Sequence, residues 1–254
     1  MKVTVITVAY NSAETIRDTI ESVISQDYQD IEYIIIDGGS KDGTQDIVSQ
    51  YGGHISQFIS EPDEGLYYAM NKGLALATGH IVGILNSDDV YQDSRVLSEV
   101  VNEFDSSPID CLYGDLVYVE ESHLDRIKRY WKSGNFHRKA FLNGWMPPHP
   151  TFFATLASYN AFGYYDTSFR TSADYELMLR YLYKNHCSVS YLNRVIVRMR
   201  MGGQSNESVM NRIKGNKEDR RAWLKNGIRP KFYTLTLKPL RKLGQLWSRP
   251  GQEG

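Results

Sequence analysis

Two adjacent carboxylates, Asp88 and Asp89, follow the apolar run HIVGIL at 80–85. The run is typical of a buried strand, so the acids at its end are expected to lie partly out of water. Two carboxylates held together repel each other unless a proton or a cation relieves them. Oxygen ligands favour a hard divalent ion, Mg²⁺ or Mn²⁺, with a diphosphate supplying further oxygens. The alternative is that one acid caps the next helix and the other is solvated.

A glycine-rich loop, DGGSKDGT at 37–44, follows another apolar run and begins with Asp37. Glycine permits positive φ and close approach of a ligand to the backbone. An acid at a strand end can accept hydrogen bonds from ribose hydroxyls or from a base ring. The loop lacks the G-x-G-x-x-G spacing of dinucleotide-binding proteins, and the sequence contains no G-x-x-x-x-G-K-[ST] phosphate loop. The alternative is an ordinary connection between a strand and a helix.

Two further candidates have strong structural alternatives. Asp174 stands in the first turn of a helix predicted at 172–185, where acids are favoured by the helix dipole, and Ser172 is predicted to cap that helix. His149 lies among the prolines of PPHPT at 147–151, which hold it in an extended conformation. A lone loop histidine is more often structural than catalytic, so local pattern alone assigns neither residue to chemistry.

The elements that must position these residues alternate between apolar runs and helical patterns. Strands are predicted at 3–10, 31–37, 55–60 and 80–87, and helices at 12–26, 44–52 and 65–78. This alternation predicts a parallel sheet built from right-handed crossovers, with ligands at the carboxyl ends of its strands. Beyond residue 105 the alternation weakens, and strands are predicted at 110–120, 126–131 and 188–201.

The composition indicates a sizeable core without a membrane span. The chain has 254 residues, of which 41% are hydrophobic, and no stretch reaches the eighteen or so apolar residues that cross a bilayer. The N-terminus lacks a signal-peptide pattern. Cys111 and Cys187 have no metal-ligand spacing, which favours reduced, packed thiols in a cytoplasmic protein over a disulfide.

The charge is distributed unevenly. Residues 220–254 hold nine Lys or Arg residues and a single acid, Glu253, whereas the rest of the chain is acidic. Aromatic and leucine residues are interleaved with these bases, which favours an interfacial segment on an anionic membrane over a nucleic-acid arm. The alternative is a C-terminal helix that packs on the body with a solvated basic face.

Taken together, four segments resemble the family-two glycosyltransferases with the GT-A fold, in particular bacterial enzymes of colanic acid and O-antigen synthesis. The segments are TVAYNSAETIRDTIESV, YIIIDGGSKDGT, EPDEGLYYAMNKGLALATGHIVGILNSDD and PHPTFF…GYYDTSFRTSADYELMLR. The resemblance implies an α/β fold with a Rossmann-like, mostly parallel central sheet flanked by helices. It divides the chain into a glycosyltransferase domain at 1–206, with a nucleotide-sugar half at 1–90 and an acceptor half at 105–206, and a basic helical appendage at 207–254.

The resemblance also implies roles for single residues. NSDD stands at the family's D-x-D metal motif, with Asn86 in place of the first acid, and Asp174 matches the catalytic aspartate, with Ala173 in place of the preceding glutamate. The nucleotide-sugar pocket would include Thr7, Ala9, Tyr10, Asp37, Asp63, Asn86 and Asp88. Asp88 and Asp89 would hold Mn²⁺ or Mg²⁺, and the acceptor and diphosphate side would include His149, Arg180, Arg198 and Arg200.

The activity implied is transfer of one hexose, with inversion, from a UDP-sugar to a saccharide hydroxyl. The absence of long apolar segments and of a Q-x-x-R-W motif favours a non-processive enzyme. A polyprenyl-diphosphate-linked acceptor at the cytoplasmic face of the inner membrane is expected by analogy. Two alternatives stay open: a sugar nucleotidyltransferase, and a nucleotide-sugar-binding scaffold that has lost catalysis. The sequence makes no prediction of oligomeric state.

Overall fold

The computed structural model describes residues 1–202 and 209–237. The strands are β1 (Val3–Ala9), β2 (Ile31–Asp37), β3 (Gln57–Ser60), β4 (Ile81–Ile84), β5 (Asp89–Tyr91), β6 (Cys111–Glu120), β7 (His123–Trp131), β8 (Phe153–Thr155) and β9 (Val189–Arg200). The helices are α1 (Ile16–Ile24), α2 (Thr44–Ser49), α3 (Leu66–Leu76), α4 (Val96–Ser106), α5 (Leu156–Phe162), α6 (Ala173–Met178) and α7 (Val209–Lys225). Short 3₁₀ turns lie at Gly52–His54, Arg138–Asn143 and His149–Thr151.

The described strands form one sheet in the order β3-β2-β1-β4-β8-β6-β9-β5, with β7 paired to β6. The first four strands in this order are parallel, as the alternating pattern predicts. The second half of the sheet is mixed, because β8 is antiparallel to both of its neighbours while β6 and β9 are parallel. The strand order reverses direction at β1, where β2 lies on one side and β4 on the other. Such a switch point leaves a crevice at the carboxyl ends of the strands.

Alternating side chains of β1 divide the core into two layers. Ile6 and Val8 face the layer that holds α3 and α6, whereas Val5 and Ala9 face the layer of α1 and α4. Helix α3 lies very close to β1, because a Cβ atom added at Gly73 would fall 2.5 Å from Ile6 Cγ2. This close approach fixes the height of α3 over the sheet.

Three sequence predictions are corrected by the structure. The helix predicted at 12–26 begins only at Ile16, after a turn in which Thr15 and Ile16 donate to the carbonyl of Ser12. The helix predicted at 172–185 is α-helical only to Met178 and continues as a π-helical segment, Leu179–Lys184. Its predicted cap is wrong, since the Ser172 side chain makes no capping hydrogen bond.

The fourth strand also differs from its prediction, which extended to 87. It ends at Ile84, and a separate short strand, Asp89–Tyr91, was not predicted. The chain leaves β4 through the loop 85–88 and rejoins the sheet at its far edge, where Asp89 pairs with Met199 of β9. The paired acids 88 and 89 therefore stand at the start of this second strand.

The described part of the predicted appendage packs on the body. Trp223 of α7 is fully buried in the same core as α6, and its indole N–H donates to the Tyr175 hydroxyl at 2.8 Å. Beyond α7, the Thr234 hydroxyl donates to the carbonyl of Leu142 at 2.6 Å. The packed-helix alternative thus accounts for this part of the segment. The remaining basic and aromatic residues of the predicted membrane segment, 238–254, lie outside the described residues.

Two expectations from composition concern cysteines and membrane spans. Cys111 and Cys187 are both buried and neither is in a disulfide, in agreement with the predicted packed thiols. Within the described ranges, every helix is too short or too polar to cross a bilayer.

At the amino-terminal edge of the sheet, opposite the polar strand ends, Glu32 joins three segments. Its carboxylate is buried and accepts hydrogen bonds from the Thr4 hydroxyl at 2.6 Å and from the Thr78 N–H at 2.7 Å. The Lys2 ammonium lies 3.3 Å away. Burial by itself raises the pKa of this carboxyl, but the hydrogen bonds from Thr4, Thr78 and Lys2 outweigh it and lower the pKa to about 2. The ionised form is therefore the one that the fold stabilises.

We expect Glu32→Gln to lower the free energy of unfolding by about 1–3 kcal/mol at pH 7. Because the folded-state pKa is depressed, this contribution is complete above the unfolded pKa of about 4.5 and is lost as the pH falls toward 2. Urea unfolding at pH 7 and pH 3 should thus show a smaller difference between variant and wild type at the lower pH. Glu14→Gln, at an exposed position, is the control. An equal difference at both pH values would contradict this account.

Candidate active site

Asp37 ends β2 and organises the glycine-rich loop that follows it. Its buried carboxylate accepts hydrogen bonds from the backbone N–H of Gly39 at 3.2 Å and of Ser40 at 3.0 Å, and from the Ser60 hydroxyl at 2.6 Å. The Ser40 hydroxyl donates to the other oxygen. Asn11, with φ of 48°, fixes the far side of the loop by accepting from the Lys41 N–H at 3.0 Å. Contact of Asp37 with a nucleotide stays a prediction; its structural role is to shape the loop.

The three residues predicted on β1 differ in exposure. Thr7 is fully buried, and its hydroxyl lies 3.1 Å from the Tyr33 hydroxyl. It occupies the side of β1 that faces the layer of α1, and its place in the nucleotide pocket stays a prediction that this burial does not support. Ala9 is buried at the strand end, whereas Tyr10 is 61% exposed just beyond it. Of these three side chains, Tyr10 is the one available to a ligand.

Asp63 is largely buried and forms an ion pair with Lys72 of α3. Lys72 also lies 2.7 Å from Glu61. The hydrogen bonds that Lys72 donates to Asp63 and Glu61 raise the pKa of its ammonium, because they stabilise its charged form. This ammonium, which the sequence analysis did not select, is a cation beside the predicted nucleotide edge. The predicted contact of Asp63 with a nucleobase or ribose stays a prediction.

The corner formed by Asn86, Asp88 and Asp89 combines buried acids with unused oxygens. Asp89 is fully buried and accepts from the Asn86 side-chain N–H at 3.3 Å. Its second oxygen and the Asn86 side-chain oxygen are buried without a hydrogen-bond partner among the described residues. Burial raises the pKa of both acids, and the charge of Asp88 raises that of Asp89 further. The corner is therefore short of positive charge and of hydrogen-bond donors.

The oxygen donors of this corner fit a divalent cation shared with a diphosphate. Magnesium and manganese in nucleotide sites are commonly held by one or two carboxylates, with phosphate and water oxygens completing the shell. Within the described ranges no group of three or more His, Cys, Asp or Glu residues forms a closed metal cage, which is compatible with such an open site. Asp88, the less buried acid, would be the ligand; the ligand role of the fully buried Asp89 stays a prediction.

Asp174 is held between two side chains from other segments. The Tyr67 hydroxyl, from α3, donates to Asp174 Oδ1 at 3.2 Å. His149 Nδ1 lies 3.3 Å from Asp174 Oδ2. The Tyr67 ring is buried and stacks on Tyr165 with 5.6 Å between ring centroids. Burial and then the charge of Asp174 raise the pKa of Tyr67 well above its ordinary value, so its hydroxyl remains a donor.

His149 connects this carboxylate to the acidic corner. Its positive charge, when protonated, is close enough to Asp88 to oppose the rise in the pKa of that acid. The structure thus brings together Asp88, His149 and Asp174, which the sequence analysis proposed separately. Tyr67 was missed, because a buried tyrosine in an amphipathic helix looks like an ordinary core residue in the sequence.

The predicted role of Arg180 at the acceptor or diphosphate side stays a prediction that its present contacts do not support. Its Nε and Nη2 donate to the Glu176 carboxylate, at 3.0 and 2.8 Å. The remaining donors bind backbone carbonyls of the turn after α5, at Phe162, Gly163 and Tyr164. Since a guanidinium has five N–H donors, this set occupies the group. Arg180 joins α6 to the turn at 162–164.

The other two predicted arginines are also engaged. Arg200 is buried and donates to the backbone carbonyl of Asp88 at 2.9 Å, while it pairs with Asp18 of α1. It therefore holds the backbone of the acidic corner against α1. Arg198 donates to Gln92 at 2.9 Å and to the carbonyl of Leu124 at 2.8 Å, and it lines a separate cavity of about 470 Å³. A contact of Arg198 with phosphates stays a prediction that its present contacts do not support.

Comparison with known proteins agrees with this geometry. Residues 4–164 match the family described as Glycosyl transferase family 2. The chain belongs to this family. It is also 33% identical over 181 residues to an uncharacterized glycosyltransferase of Mycobacterium tuberculosis, a match that covers 70% of this chain and 68% of the relative.

Two solved structures show the same fold as this family 2 chain. S. aureus TarS 1–349 in complex with UDP-GlcNAc has a TM-score of 0.70 at 19% identity, covering 99% of this chain and 74% of that one. The mannosyltransferase PcManGT from Pyrobaculum calidifontis, in complex with GDP-Man and Mn²⁺, has a TM-score of 0.65 at 17% identity, covering 96% and 69%. The GT-A fold predicted from the sequence is confirmed.

The assignment of the acidic corner predicts which of two substitutions lowers the rate of glycosyl transfer more. Asp88→Ala removes the carboxylate that would hold a divalent ion and should lower the transfer rate by about 100-fold or more. Asn86→Ala removes one neutral hydrogen bond to Asp89 and should lower it by less than about tenfold. The measurement is the initial rate of nucleotide diphosphate release at saturating Mn²⁺, with circular dichroism to confirm folding. The reverse order would mean that the corner is wrongly assigned.

Proposed function

We propose that this glycosyltransferase moves one hexose from a UDP-sugar to a saccharide hydroxyl with inversion of the anomeric carbon. The observation that carries the proposal is the position of Asp174, whose two oxygens contact Tyr67 and His149. A charged His149 would also be within electrostatic range of Asp88. A base near a diphosphate-binding corner suits a single displacement at the anomeric carbon. The UDP-GlcNAc held by the TarS structure supports a uridine nucleotide as donor.

In this mechanism the acceptor hydroxyl loses its proton to Asp174 as it attacks the anomeric carbon. Tyr67, kept protonated by burial, donates to Oδ1 and orients the carboxylate toward the acceptor. His149 holds the other oxygen when its proton is on Nδ1. Asp88 would hold Mn²⁺ or Mg²⁺, which when bound offsets the negative charge that develops on the leaving diphosphate. The attack and departure occur on opposite faces of the sugar, so no covalent intermediate with the enzyme is needed.

We expect Asp174→Asn to lower the rate of UDP release by about 10²–10⁴-fold, because the amide cannot accept the acceptor's proton. The rate is measured with a panel of UDP-hexoses and a synthetic diphosphate-lipid saccharide. Affinity for UDP, measured by calorimetry, should stay within about twofold, since Asp174 lies on α6 and the residues predicted to bind the nucleotide lie on other elements. Asp46→Asn, at an exposed position of α2, is the matched control.

The same experiment distinguishes the proposed transferase from its main alternative, a scaffold without catalysis. A nucleotide-sugar-binding scaffold is suggested by Asn86 and Ala173, which replace two acids of the family pattern. UDP binding by the wild type without any turnover on such acceptors would support the scaffold. A transfer rate for Asp174→Asn within tenfold of the wild type would refute the proposed base. Loss of nucleotide binding in the wild type would refute both functions.

The proposed acceptor is a polyprenyl-diphosphate-linked saccharide at the cytoplasmic face of the inner membrane, in synthesis of a surface polysaccharide. The support is the end of the described chain, where Phe232 is 95% exposed and directly follows the basic positions Arg229 and Lys231. An exposed aromatic ring among cations suits an anionic lipid surface. Deleting everything after residue 206 would also remove the buried Trp223 from the core, so a single substitution tests this better.

We therefore expect Phe232→Ser to weaken binding to vesicles that contain phosphatidylglycerol by about tenfold, because the ring no longer enters the interface. Co-sedimentation with vesicles is the measurement, and phosphatidylcholine vesicles should bind weakly in both cases. Phe58→Ser is the control, since Phe58 is 37% exposed on β3 and has no basic cluster beside it in sequence. Equal binding by the Phe232 variant and the wild type would argue against membrane contact at this position.

A further inference from the structure

Helix α7 lies along the segment 166–176, which leads into α6 and carries Asp174. The contacts recur at successive turns of α7. Arg221 donates to the Ser168 hydroxyl at 2.8 Å, Lys225 pairs with Asp166, Trp223 donates to Tyr175, and Asn226 donates to the Glu176 carboxylate at 2.9 Å. Most of these contacts bind side chains and would hold the two helices together. Arg221 also donates to the Ser168 backbone carbonyl at 3.1 Å, and a further contact binds the backbone N–H groups directly before α6.

Glu218 makes this contact. Its carboxylate accepts hydrogen bonds from the backbone N–H of Arg170 at 2.9 Å and of Thr171 at 2.8 Å, and from the Thr171 hydroxyl at 2.7 Å. Burial raises the pKa of Glu218, but these hydrogen bonds outweigh it, so the pKa lies below its ordinary value. The group is therefore ionised at neutral pH.

The Glu218 contact lies just before the N-cap position of α6, which is Ser172. The first N–H groups of a helix have no partner within it and are usually bound by a side chain just before the helix. Ser172, at that position, makes no such bond. The Glu218 carboxylate, 48 residues further along the chain from Arg170, holds the backbone of 170–171, which precedes this position and leads into α6. Asp174 follows Thr171 by three residues, so its position depends on this anchor.

We propose that Glu218 is a positioning residue for Asp174. It fixes the backbone before α6, so that the Asp174 carboxylate contacts Tyr67 and His149. The inference rests on the proposed role of Asp174 as the base. The hydrogen bonds of Glu218 go to Arg170 and Thr171, so it would act on Asp174 through the backbone of 170–171. The burial of Trp223 and the bond from Asn226 to Glu176 keep α7 on the body without it. Its removal should therefore impair the reaction more than the fold.

The test is a double-mutant cycle of Glu218→Ala with Asp174→Asn. In the wild-type background, Glu218→Ala should lower kcat about tenfold or more, because small misplacement of a catalytic group has a large effect on rate. KM for the UDP-sugar and affinity for UDP should change by less than about twofold. In the Asp174→Asn background, Glu218→Ala should lower the residual rate by less than about twofold. Glu218→Gln, which keeps an acceptor oxygen, should recover part of the loss, and Lys217→Gln, at the exposed neighbouring position, should have no effect.

Hydrogen exchange gives a readout that does not depend on activity. Glu218→Ala should accelerate exchange of the amides of Arg170 and Thr171, with the core strands unchanged. An equal loss of rate in both backgrounds, or a folded Glu218→Ala protein with kcat within twofold of the wild type, would overturn the inference. Failure of the proposed function would be distinguishable from failure of this inference, because the Asp174→Asn protein would then keep the wild-type rate.

Discussion

The two polar contacts on Asp174, a hydrogen bond from Tyr67 and a close approach of His149 Nδ1, are the interaction on which the rest of the site depends. Its two partners come from different parts of the chain, Tyr67 from α3 and His149 from the proline-rich turn. For Tyr67 to reach Asp174, α3 must lie close to the sheet and the turn after α5 must lie close to α3. Gly73 permits the first approach. Asn71, one turn after Tyr67, secures the second through bonds to both the N–H and the carbonyl of Tyr165, at 3.0 and 2.8 Å.

Burial sets the electrostatics of the neighbouring corner. Asp89 is the first residue of β5, which pairs with β9, and Asp88 directly precedes it. Both side chains are largely removed from water, and this burial raises the pKa of both carboxyls. Arg200 offsets part of this, yet its N–H groups bind the carbonyls of Asp88 and Glu121 and the side chain of Asp18. The arginine thus holds the backbone of the corner in place and leaves the carboxylate of Asp88 for another cation.

The sequence predicted the parallel half of the sheet because β-branched runs and helical patterns alternate there with clear periods. It also selected Asp88 from residue type and position, whereas His149 and Asp174 were selected through the resemblance to family two, because their local patterns alone assigned neither to chemistry. It did not reveal Tyr67, Glu218 or the bound state of Arg180. These depend on which segments meet in three dimensions, and a tyrosine, a glutamate or an arginine on a helix has the same local pattern whether it is solvated or bound.

The two positions that depart from the family pattern bear on whether catalysis has been lost. Asn86 donates to Asp89 through its amide N–H, which an aspartate cannot do, and an acid there would add a third negative charge beside two buried carboxyls. Its remaining oxygen still faces the corner without a partner. Ala173 is fully buried in the core, where a glutamate would be a charge removed from water. Each replacement thus suits its surroundings, Asp174 keeps its contacts with Tyr67 and His149, and the Asp88 carboxylate is still present in the corner. Adaptation of the site, with catalysis retained, accounts for these two residues better than decay does.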